Sequence, residues 1–344
     1  MTERFLWFFI AFLIASLITG FIRRLAFRAG VVDYPATRKI HTKPMPLLGG
    51  AGIFFAVAAC VLAILSVSGT LTSGSITPRQ YLGFLVGGLV LVAGGALDDL
   101  FDLPPHMSMI PPVLAALVAL VAGIEVSKLT NPFGGVIFLL HWQSNALVFL
   151  WLLVMMYTTK LLDGLDGLAT GIASIGTVMI LALSLTVAYF QTDIALLSSI
   201  ILGSLFGFLL WNFHPAKIFL GEGGSTFVGY TLGILAVISG GKFATALLVV
   251  GIPLLDVAWI VFRRLRQGGM RRMIQSDRRH LHHRLADLGW SQRRIVLSYY
   301  AAAASFGLAA LFLQSQQKLF ALGILFLCML GCIVWLIRYE QNHS

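Results

Sequence analysis

The chain has 344 residues, of which 58% are apolar and 11% charged, and its mean hydropathy is +0.90. Soluble globular domains carry about 25% charged residues, so this composition excludes a soluble enzyme and indicates an all-α, polytopic membrane protein. In a soluble protein the net charge of +10 would suggest nucleic acid as a partner. In a membrane protein basic residues mark the loops on one face instead, and we expect no nucleic-acid partner.

Eleven apolar runs are candidates for membrane-spanning helices, each of which needs about 20 residues. They cover approximately residues 5–22, 47–68, 80–97, 107–124, 145–159, 170–189, 194–211, 226–240, 243–262, 295–313 and 319–337. We therefore predict about 10 or 11 spanning helices in one membrane-embedded domain, residues 1–344. The first run has no small-residue cleavage site before Arg23, so we expect a retained helix and not a signal peptide.

The basic residues divide unequally between the two sides that these runs define. If the runs alternate in direction, nineteen of the 24 Lys and Arg residues lie on one side and five on the other. The positive-inside rule places the basic side in the cytoplasm, with the N-terminus outside and the C-terminus inside. We expect the protein in the inner (plasma) membrane.

The acidic clusters share the side of the basic majority. They follow the third, fifth and seventh runs, and two histidine-rich segments follow the first and ninth: Asp98, Asp99 and Asp102; Asp163 and Asp166; Glu222; His41; His280. Because the span count did not use these residues, their common side predicts a single cytoplasmic active site.

The first acidic cluster, in GGALDDLFDLPP, closes an apolar helix. Asp98 and Asp102 at i, i+4 are expected to share a helix face, with Asp99 beside them. Carboxylates this close to a bilayer are costly without a cation or a functional partner. They suit Mg²⁺, which binds carboxylates together with substrate phosphates. A solvated helix end is the alternative.

The second cluster, in KLLDGLDGLATG, places Asp163 and Asp166 at i, i+3. The glycines of this segment allow the backbone to approach a ligand closely. By itself the segment is compatible with a turn at a helix end. Together with the first cluster on the same face, it predicts the second wall of an anionic cleft that holds a metal.

The third block is WNFHPAKIFLGEGGSTFVG. Asn212 and Glu222 lie before glycines that open a helix, where backbone N–H groups form a natural anion site. Phe219 is suited to stacking on a base, although one phenylalanine among 25 is more often part of the packing.

The fourth block, DRRHLHHRL, groups three histidines and an arginine: His280, His282, His283 and Arg284. A structural zinc site needs four ligands and no cysteine is near, so we predict a cationic cradle for phosphates. A basic loop without a ligand is the alternative. The first loop, RKIHTKPMPLLGG, adds His41 and Lys43.

Four further residues lie within apolar runs. Asp256 lies about two helical turns inside the ninth run, where an acid is expected to be functional or paired, although the sequence identifies no partner. For Cys60, Cys328 and Cys332 we expect small buried hydrophobic residues and no disulfide framework.

These four blocks, in this order and on one face, resemble the polyprenyl-phosphate N-acetylhexosamine-1-phosphate transferases. That superfamily includes the phospho-MurNAc-pentapeptide translocase and the bacterial undecaprenyl-phosphate GlcNAc-1-phosphate transferases. The resemblance covers about residues 38–294, and HLHHRL and DGLDGLATG are more similar to the GlcNAc-1-phosphate branch. It implies that a polyprenyl phosphate attacks the β-phosphate of a UDP-sugar, preferably UDP-GlcNAc, with release of UMP. Mg²⁺ is the implied cofactor, with Mn²⁺ as a substitute.

The resemblance also implies roles for particular residues. The aspartates carry catalysis: Asp98 and Asp99 on the lipid phosphate or the metal, Asp163 and Asp166 in the nucleotide and metal region. Glu222 and Asp163 are the expected metal ligands. The resemblance assigns the uridine to Asn212 and Phe219, and the sugar or the phosphates to the histidine block. The full set of substrate contacts that we expect includes two lysines as well: Lys43, Lys160, Asn212, Phe219, His280, His282, His283 and Arg284.

Two positions depart from the family pattern. The family usually has Asn where this chain has Lys160. It has Asp, its usual metal ligand, where this chain has Glu222, and here Gly follows that position. A divergent member with altered metal geometry explains both departures, and so does lost or shifted activity.

Two other classes of function stay open. An ion-coupled transporter would use intramembrane acids as a relay, whereas these acids concentrate at one interface. A lipid-binding scaffold rarely needs five acids that face one cleft. Within the enzyme class the sequence does not distinguish UDP-GlcNAc from another UDP-N-acetylhexosamine or UDP-MurNAc-pentapeptide, and it leaves a homodimer open.

Overall fold

The computed structural model describes residues 2–35, 43–268 and 281–343, without the side chains of 188, 261–268, 282, 283 and 332–343. This part of the chain contains thirteen α-helices: α1 (Thr2–Ala29), α2 (Gly49–Val67), α3 (Pro78–Phe101), α4 (Pro105–Ser108), α5 (Ile110–Val121), α6 (His141–Leu162), α7 (Leu168–Ser184), α8 (Thr192–Asn212), α9 (Gly221–Ile238), α10 (Phe243–Gly268), α11 (Leu281–Asp287), α12 (Gln292–Phe312) and α13 (Ser315–His343). Two antiparallel pairs of short strands complete it: β1 (Val32–Asp33) with β2 (Met45–Pro46), and β3 (Lys128–Thr130) with β4 (Val136–Phe138).

The all-α, polytopic prediction is confirmed. In the described ranges each of the eleven apolar runs corresponds to a helix. Seven helices are long and apolar enough to cross a membrane, three more are shorter apolar helices, and α9 accounts for the eighth run. The two strand pairs were not expected from the sequence, because two- and three-residue strands have too few residues to show an alternating pattern.

Helix α9 lies at the centre of the bundle. Every residue from Gly223 to Val237 is buried, and α2, α3, α6, α7, α8 and α10 pack around the helix. Two of its aromatic side chains fill the core: Phe227 packs edge-on against Phe54, and Tyr230 stacks on Phe84. The position of α9 therefore sets where the surrounding helices end.

The first turn of α9 touches its neighbours through glycines. A Cβ atom at Gly95 of α3 would overlap the backbone of Gly223, and one at Gly50 of α2 would overlap that of Gly224. Small residues allow membrane helices to approach at backbone contact distance. The polar end of α9 is consequently held directly against α2 and α3.

The peripheral helices expose apolar side chains, as expected for surfaces that face lipid. Helix α1 packs against α2 and α8 but exposes Phe9 and Leu17, and α13 packs against α10. This arrangement corrects one prediction. Cys60 is buried as expected, whereas Cys328 is exposed, because the described side chains of α13 are buried along one face, which carries Ala321, Leu325 and Met329. The side chain of Cys332 lies outside the described residues.

We expect Gly95→Ala to lower the melting temperature of the purified protein in detergent, because the added methyl group must separate α3 from α9. Overpacking of this kind costs about 1–3 kcal/mol. Gly323→Ala in α13 is the matched control, since a Cβ there meets nothing within 4 Å. Equal melting temperatures for the two variants would contradict the glycine contact.

Candidate active site

The acidic clusters converge at one end of the bundle. Helices α3 and α6 end there and α9 begins there, so Asp99, Asp163 and Glu222 approach from three separate segments. Lys160, in the last turn of α6, joins them as a cation. The sequence predicted this meeting from the common side of the clusters, and the structure brings the side chains together.

Asp99 caps the first turn of α9. Both carboxylate oxygens accept hydrogen bonds from the backbone N–H of Glu222, at 3.1 and 3.2 Å. Gly221 makes this approach possible: its φ is +76°, and a Cβ there would collide with the Asp99 carboxylate. A helix N-terminus favours an anion. The anion that this N–H binds in the structure is the carboxylate of Asp99.

Asp98 and Asp102 have different surroundings from Asp99. The Asp98 carboxylate accepts a hydrogen bond from the backbone N–H of Leu103 at 3.0 Å and so closes the end of α3. Asp102 lies beyond the helix with φ +49° and is exposed. The expectation that Asp98 and Asp102 share a helix face is therefore wrong, because the helix ends between them.

Lys160 and Glu222 form an ion pair between the ammonium Nζ and the carboxylate Oε1. The two side chains are 28% and 23% exposed, so the pair is accessible from the site but mostly shielded. These are the two positions at which the chain departs from the family pattern. In the folded protein they are direct partners.

Asp163 is the carboxylate with the fewest compensating contacts. It follows the last residue of α6, is partly buried, and accepts no side-chain hydrogen bond from the described residues. Burial, together with the negative charges of Glu222, Asp99 and Asp166, raises the pKa of Asp163 well above its ordinary value. A carboxylate in this position gains most from an added cation.

Asp166 serves a different purpose from Asp163. Its Oδ2 lies 2.8 Å from Nδ1 of His214 and accepts a hydrogen bond from the backbone N–H of Ala216 at 3.1 Å. Asp166 thereby ties the α6–α7 loop to the α8–α9 loop. His214 lies in the third block of the sequence, and its pairing with an aspartate was not predicted.

Asn212, the last residue of α8, also joins the α6–α7 loop to the α8–α9 loop. Its Oδ1 accepts hydrogen bonds from the backbone N–H of Gly167 and the hydroxyl of Thr170, and its Nδ2 donates to the carbonyl of Ile218. With 2% exposure it is enclosed by protein. The structure therefore gives Asn212 a supporting place, and its contact with uridine stays a prediction.

The loop before α9 also docks on the start of α2. The backbone N–H of Phe219 donates to the carbonyl of Pro46 in β2, and the carbonyl of Phe219 accepts from the N–H of Gly49. Lys43, two residues before β2, is exposed at this edge. Phe219 is partly buried, and its stacking on a base stays a prediction.

Helices α11 and α12 flank these loops. Tyr300 donates its hydroxyl hydrogen to the carbonyl of Gly167 at 2.5 Å, and Arg293 donates to the carbonyl of His214 at 3.3 Å. Asp256 accepts a hydrogen bond from the backbone N–H of Leu281, the first residue of α11, at 3.0 Å. This bond identifies a partner for the buried acid that the sequence left unassigned.

The histidine block is described only in part. Arg284 is partly buried in α11. His41, His280 and the side chains of His282 and His283 lie outside the described residues. The predicted phosphate cradle therefore stays a prediction.

The donor set of the site suits a hard divalent cation. Asp99, Asp163 and Glu222 offer carboxylate oxygens, and Mg²⁺ is usually held by one or two carboxylates plus substrate phosphates. Among the described residues no three His, Cys, Asp or Glu side chains form a complete ligand cluster. A magnesium ion at these residues would therefore need substrate phosphates as further ligands, and its binding stays a prediction.

Comparison with known proteins finds relatives over most of the chain. The model of glycosyl transferase family 4 matches residues 81–240. A probable undecaprenyl-phosphate N-acetylglucosaminyl 1-phosphate transferase of Bacillus subtilis is 33% identical, over 95% of this chain and 90% of that protein. A decaprenyl-phosphate N-acetylglucosaminephosphotransferase of Mycolicibacterium smegmatis is 32% identical, over 91% and 84%. An undecaprenyl-phosphate alpha-N-acetylglucosaminyl 1-phosphate transferase of Escherichia coli is 30% identical, over 87% and 82%.

The chain belongs to glycosyl transferase family 4. The resemblance seen in the sequence, including its assignment to the GlcNAc-1-phosphate branch, is thereby confirmed. The segment matched by the family model contains the ends of α3 and α6 and the start of α9, which carry the acidic cluster. The supporting contacts from Arg293 and Tyr300 lie outside that segment, and only the fold reveals them.

We expect Asn212→Ala to lower the free energy of unfolding of this family member by about 1–3 kcal/mol, because three buried groups lose their hydrogen-bond partner. Asn145→Ala in α6 is the matched control, since Asn145 makes no side-chain hydrogen bond with the described residues. Thermal unfolding in detergent measures the difference. Unchanged stability together with a raised KM for the nucleotide donor would instead indicate a direct substrate contact.

The raised pKa of Asp163 predicts a pH-dependent stability. In the unfolded chain this carboxyl ionises near its ordinary value, whereas the folded state resists ionisation. The metal-free protein should therefore lose stability as the pH rises above the ordinary pKa of an aspartate, because the unfolded chain then releases a proton that the folded state retains. Melting temperatures in EDTA test this, and Asp163→Asn should flatten the slope. If Asp163→Asn leaves the slope of melting temperature against pH unchanged, the pH dependence comes from another group. Asp102→Asn is the control and should show the same slope as wild type.

Proposed function

We propose that this protein transfers GlcNAc-1-phosphate from UDP-GlcNAc to a polyprenyl phosphate, with release of UMP. The observation that carries the proposal is the cluster of Asp99, Asp163 and Glu222 at the ends of apolar helices. The names of the family relatives supply the acceptor lipid and the transferred group. The basic loops support a site on the cytoplasmic face of the inner membrane.

The position of the cluster suits two very different substrates. A polyprenyl phosphate has its chain in the bilayer, so its phosphate reaches the membrane surface, the level at which we expect the apolar helices α3 and α6 to end. A nucleotide sugar arrives from water at the same level. An acid cluster at helix ends is therefore accessible to both, whereas a proton or ion relay would need acids near the middle of the spanning helices.

The transfer itself needs alignment and charge neutralisation more than covalent help from the protein. An oxygen of the polyprenyl phosphate forms a bond to the β-phosphorus of the nucleotide sugar. The bond from that phosphorus to the oxygen that bridges to UMP breaks, and UMP leaves with the electron pair. When bound, Mg²⁺ supplies positive charge to the phosphate oxygens.

The residues of the chain position the participants. Asp163, which lacks a hydrogen-bond partner among the described residues, is the first protein ligand we assign to the metal. Asp99 holds the first turn of α9 in place and presents its carboxylate to the same space. Asp166 and Asn212 fix the two loops that border the nucleotide side.

Asp163→Asn and Asp99→Asn should each reduce UMP release by about 10²-fold or more, since each removes a charge from a preorganised site. Asp102→Asn is the matched control, because Asp102 is exposed beyond the end of α3. The assay uses purified protein in detergent with polyprenyl phosphate, Mg²⁺ and UDP-GlcNAc. Wild-type turnover in Asp163→Asn would remove the acidic cluster from the mechanism.

Assays with a panel of UDP-sugar donors test which sugar the protein transfers. UDP-GlcNAc should be used at the highest kcat/KM, and other UDP-N-acetylhexosamines and UDP-MurNAc-pentapeptide should be poorer substrates. Preference for another donor would preserve the phosphoryl-transfer chemistry and change the sugar. Absence of UMP release with every donor would contradict the proposed function.

A further inference from the structure

The ion pair between Lys160 and Glu222 joins the last turn of α6 to the first turn of α9. The Lys160 ammonium also lies 5.8 Å from the centroid of the Tyr157 ring, and the Tyr157 hydroxyl is buried without a hydrogen-bond partner among the described residues. Lys160 is thus confined between an aromatic face and a carboxylate. This environment favours a persistent contact with Glu222.

Glu222 consequently has two competing demands on its carboxylate. A divalent cation in the acidic cluster would draw it as a ligand, and the ammonium of Lys160 already neutralises it. Mg²⁺ needs near-octahedral geometry at short distance, so a carboxylate oriented toward a lysine is badly placed to serve it. Asp163 has no such competitor among the described residues.

The geometry also relates the two departures from the family pattern. A glutamate in place of an aspartate reaches farther from α9, and a lysine in place of an asparagine reaches toward it from α6. Both changes extend the side chains toward each other, and they end in contact. The two departures therefore form one unit and are not independent losses.

We propose that Lys160 withholds Glu222 from the metal, so that the divalent cation is held chiefly by Asp163 and the substrate phosphates. Lys160 is then a positioning residue that acts through Glu222. The inference rests on the proposed function in one respect, namely that the acidic cluster binds a divalent cation.

The test is a four-protein cycle with Mn²⁺ as the probe. Wild type, Lys160→Gln, Glu222→Gln and the double variant are purified as full-length protein in detergent, and the Kd for Mn²⁺ is measured by electron paramagnetic resonance. Size-exclusion profiles check folding, and Lys160→Arg, which keeps the charge, should bind Mn²⁺ like wild type. Lys160→Asn replaces Lys160→Gln throughout the cycle if the glutamine variant does not fold.

We expect Glu222→Gln to weaken Mn²⁺ binding only slightly when Lys160 is present, because Glu222 is then not a ligand. Without Lys160, Glu222 is released to the metal, and Glu222→Gln should then weaken Mn²⁺ binding much more. The increase in Kd should be at least about five times as large as it is with Lys160 present, which is the lower end of typical coupling between sites. If Glu222→Gln increases the Kd for Mn²⁺ by the same factor with and without Lys160, the proposal is overturned. That result would mean either that Glu222 is a ligand in both cases or that it acts on the metal only through its charge. Absence of Mn²⁺ binding in all four proteins would overturn it as well.

UMP release from UDP-GlcNAc is measured on the same samples to separate the two proposals. An active wild type without coupling in the Mn²⁺ cycle would leave the proposed function intact and reject the role of Lys160. Coupling in the Mn²⁺ cycle of a protein that releases no UMP from any donor would support the role of Lys160 and reject the proposed function.

Discussion

The hydrogen bonds from the backbone N–H of Glu222 to the carboxylate of Asp99 are the contact on which the rest of the site depends. They join the end of α3 to the beginning of α9, and α9 is the helix around which the bundle packs. Glycines at this contact remove the side chains that would hold the helices apart. A polar helix start can therefore lie inside a largely apolar bundle, because the partner helix supplies its cap.

Charge balance is the second constraint. Three carboxylates that meet at one end of a membrane bundle repel one another and lose hydration, which is costly unless cations or hydrogen-bond donors compensate. Two of the three are compensated in different ways, Asp99 through a helix N-terminus and Glu222 through Lys160, and the nearby Asp166 is paired with His214. Asp163 has none of these within the described residues, and this difference distinguishes a candidate metal ligand from residues that hold the site together.

The sequence also predicted much of the candidate site, but it grouped residues that the structure separates. Asp163 and Asp166 were both assigned to the nucleotide and metal region, yet one faces the acidic cluster and the other binds the α8–α9 loop through His214 and Ala216. Asp98 and Asp99 are adjacent, yet only Asp99 reaches α9. The side chains of neighbouring residues at a helix end point in different directions. A sequence motif alone does not show which of these side chains faces another segment.

The sequence by itself determined where the apolar helices lie within the described ranges and the end of the bundle at which chemistry is concentrated. The reason is that a bilayer demands about 20 apolar residues per span and confines charges to the ends, so both signals are local. Only the tertiary structure decided that Lys160 neutralises Glu222, that Asp256 caps α11 and that Tyr300 supports Gly167. Each of these contacts joins segments far apart in the chain, and it exists because glycine contacts and side-chain shape decide which helices are neighbours and how closely they pack.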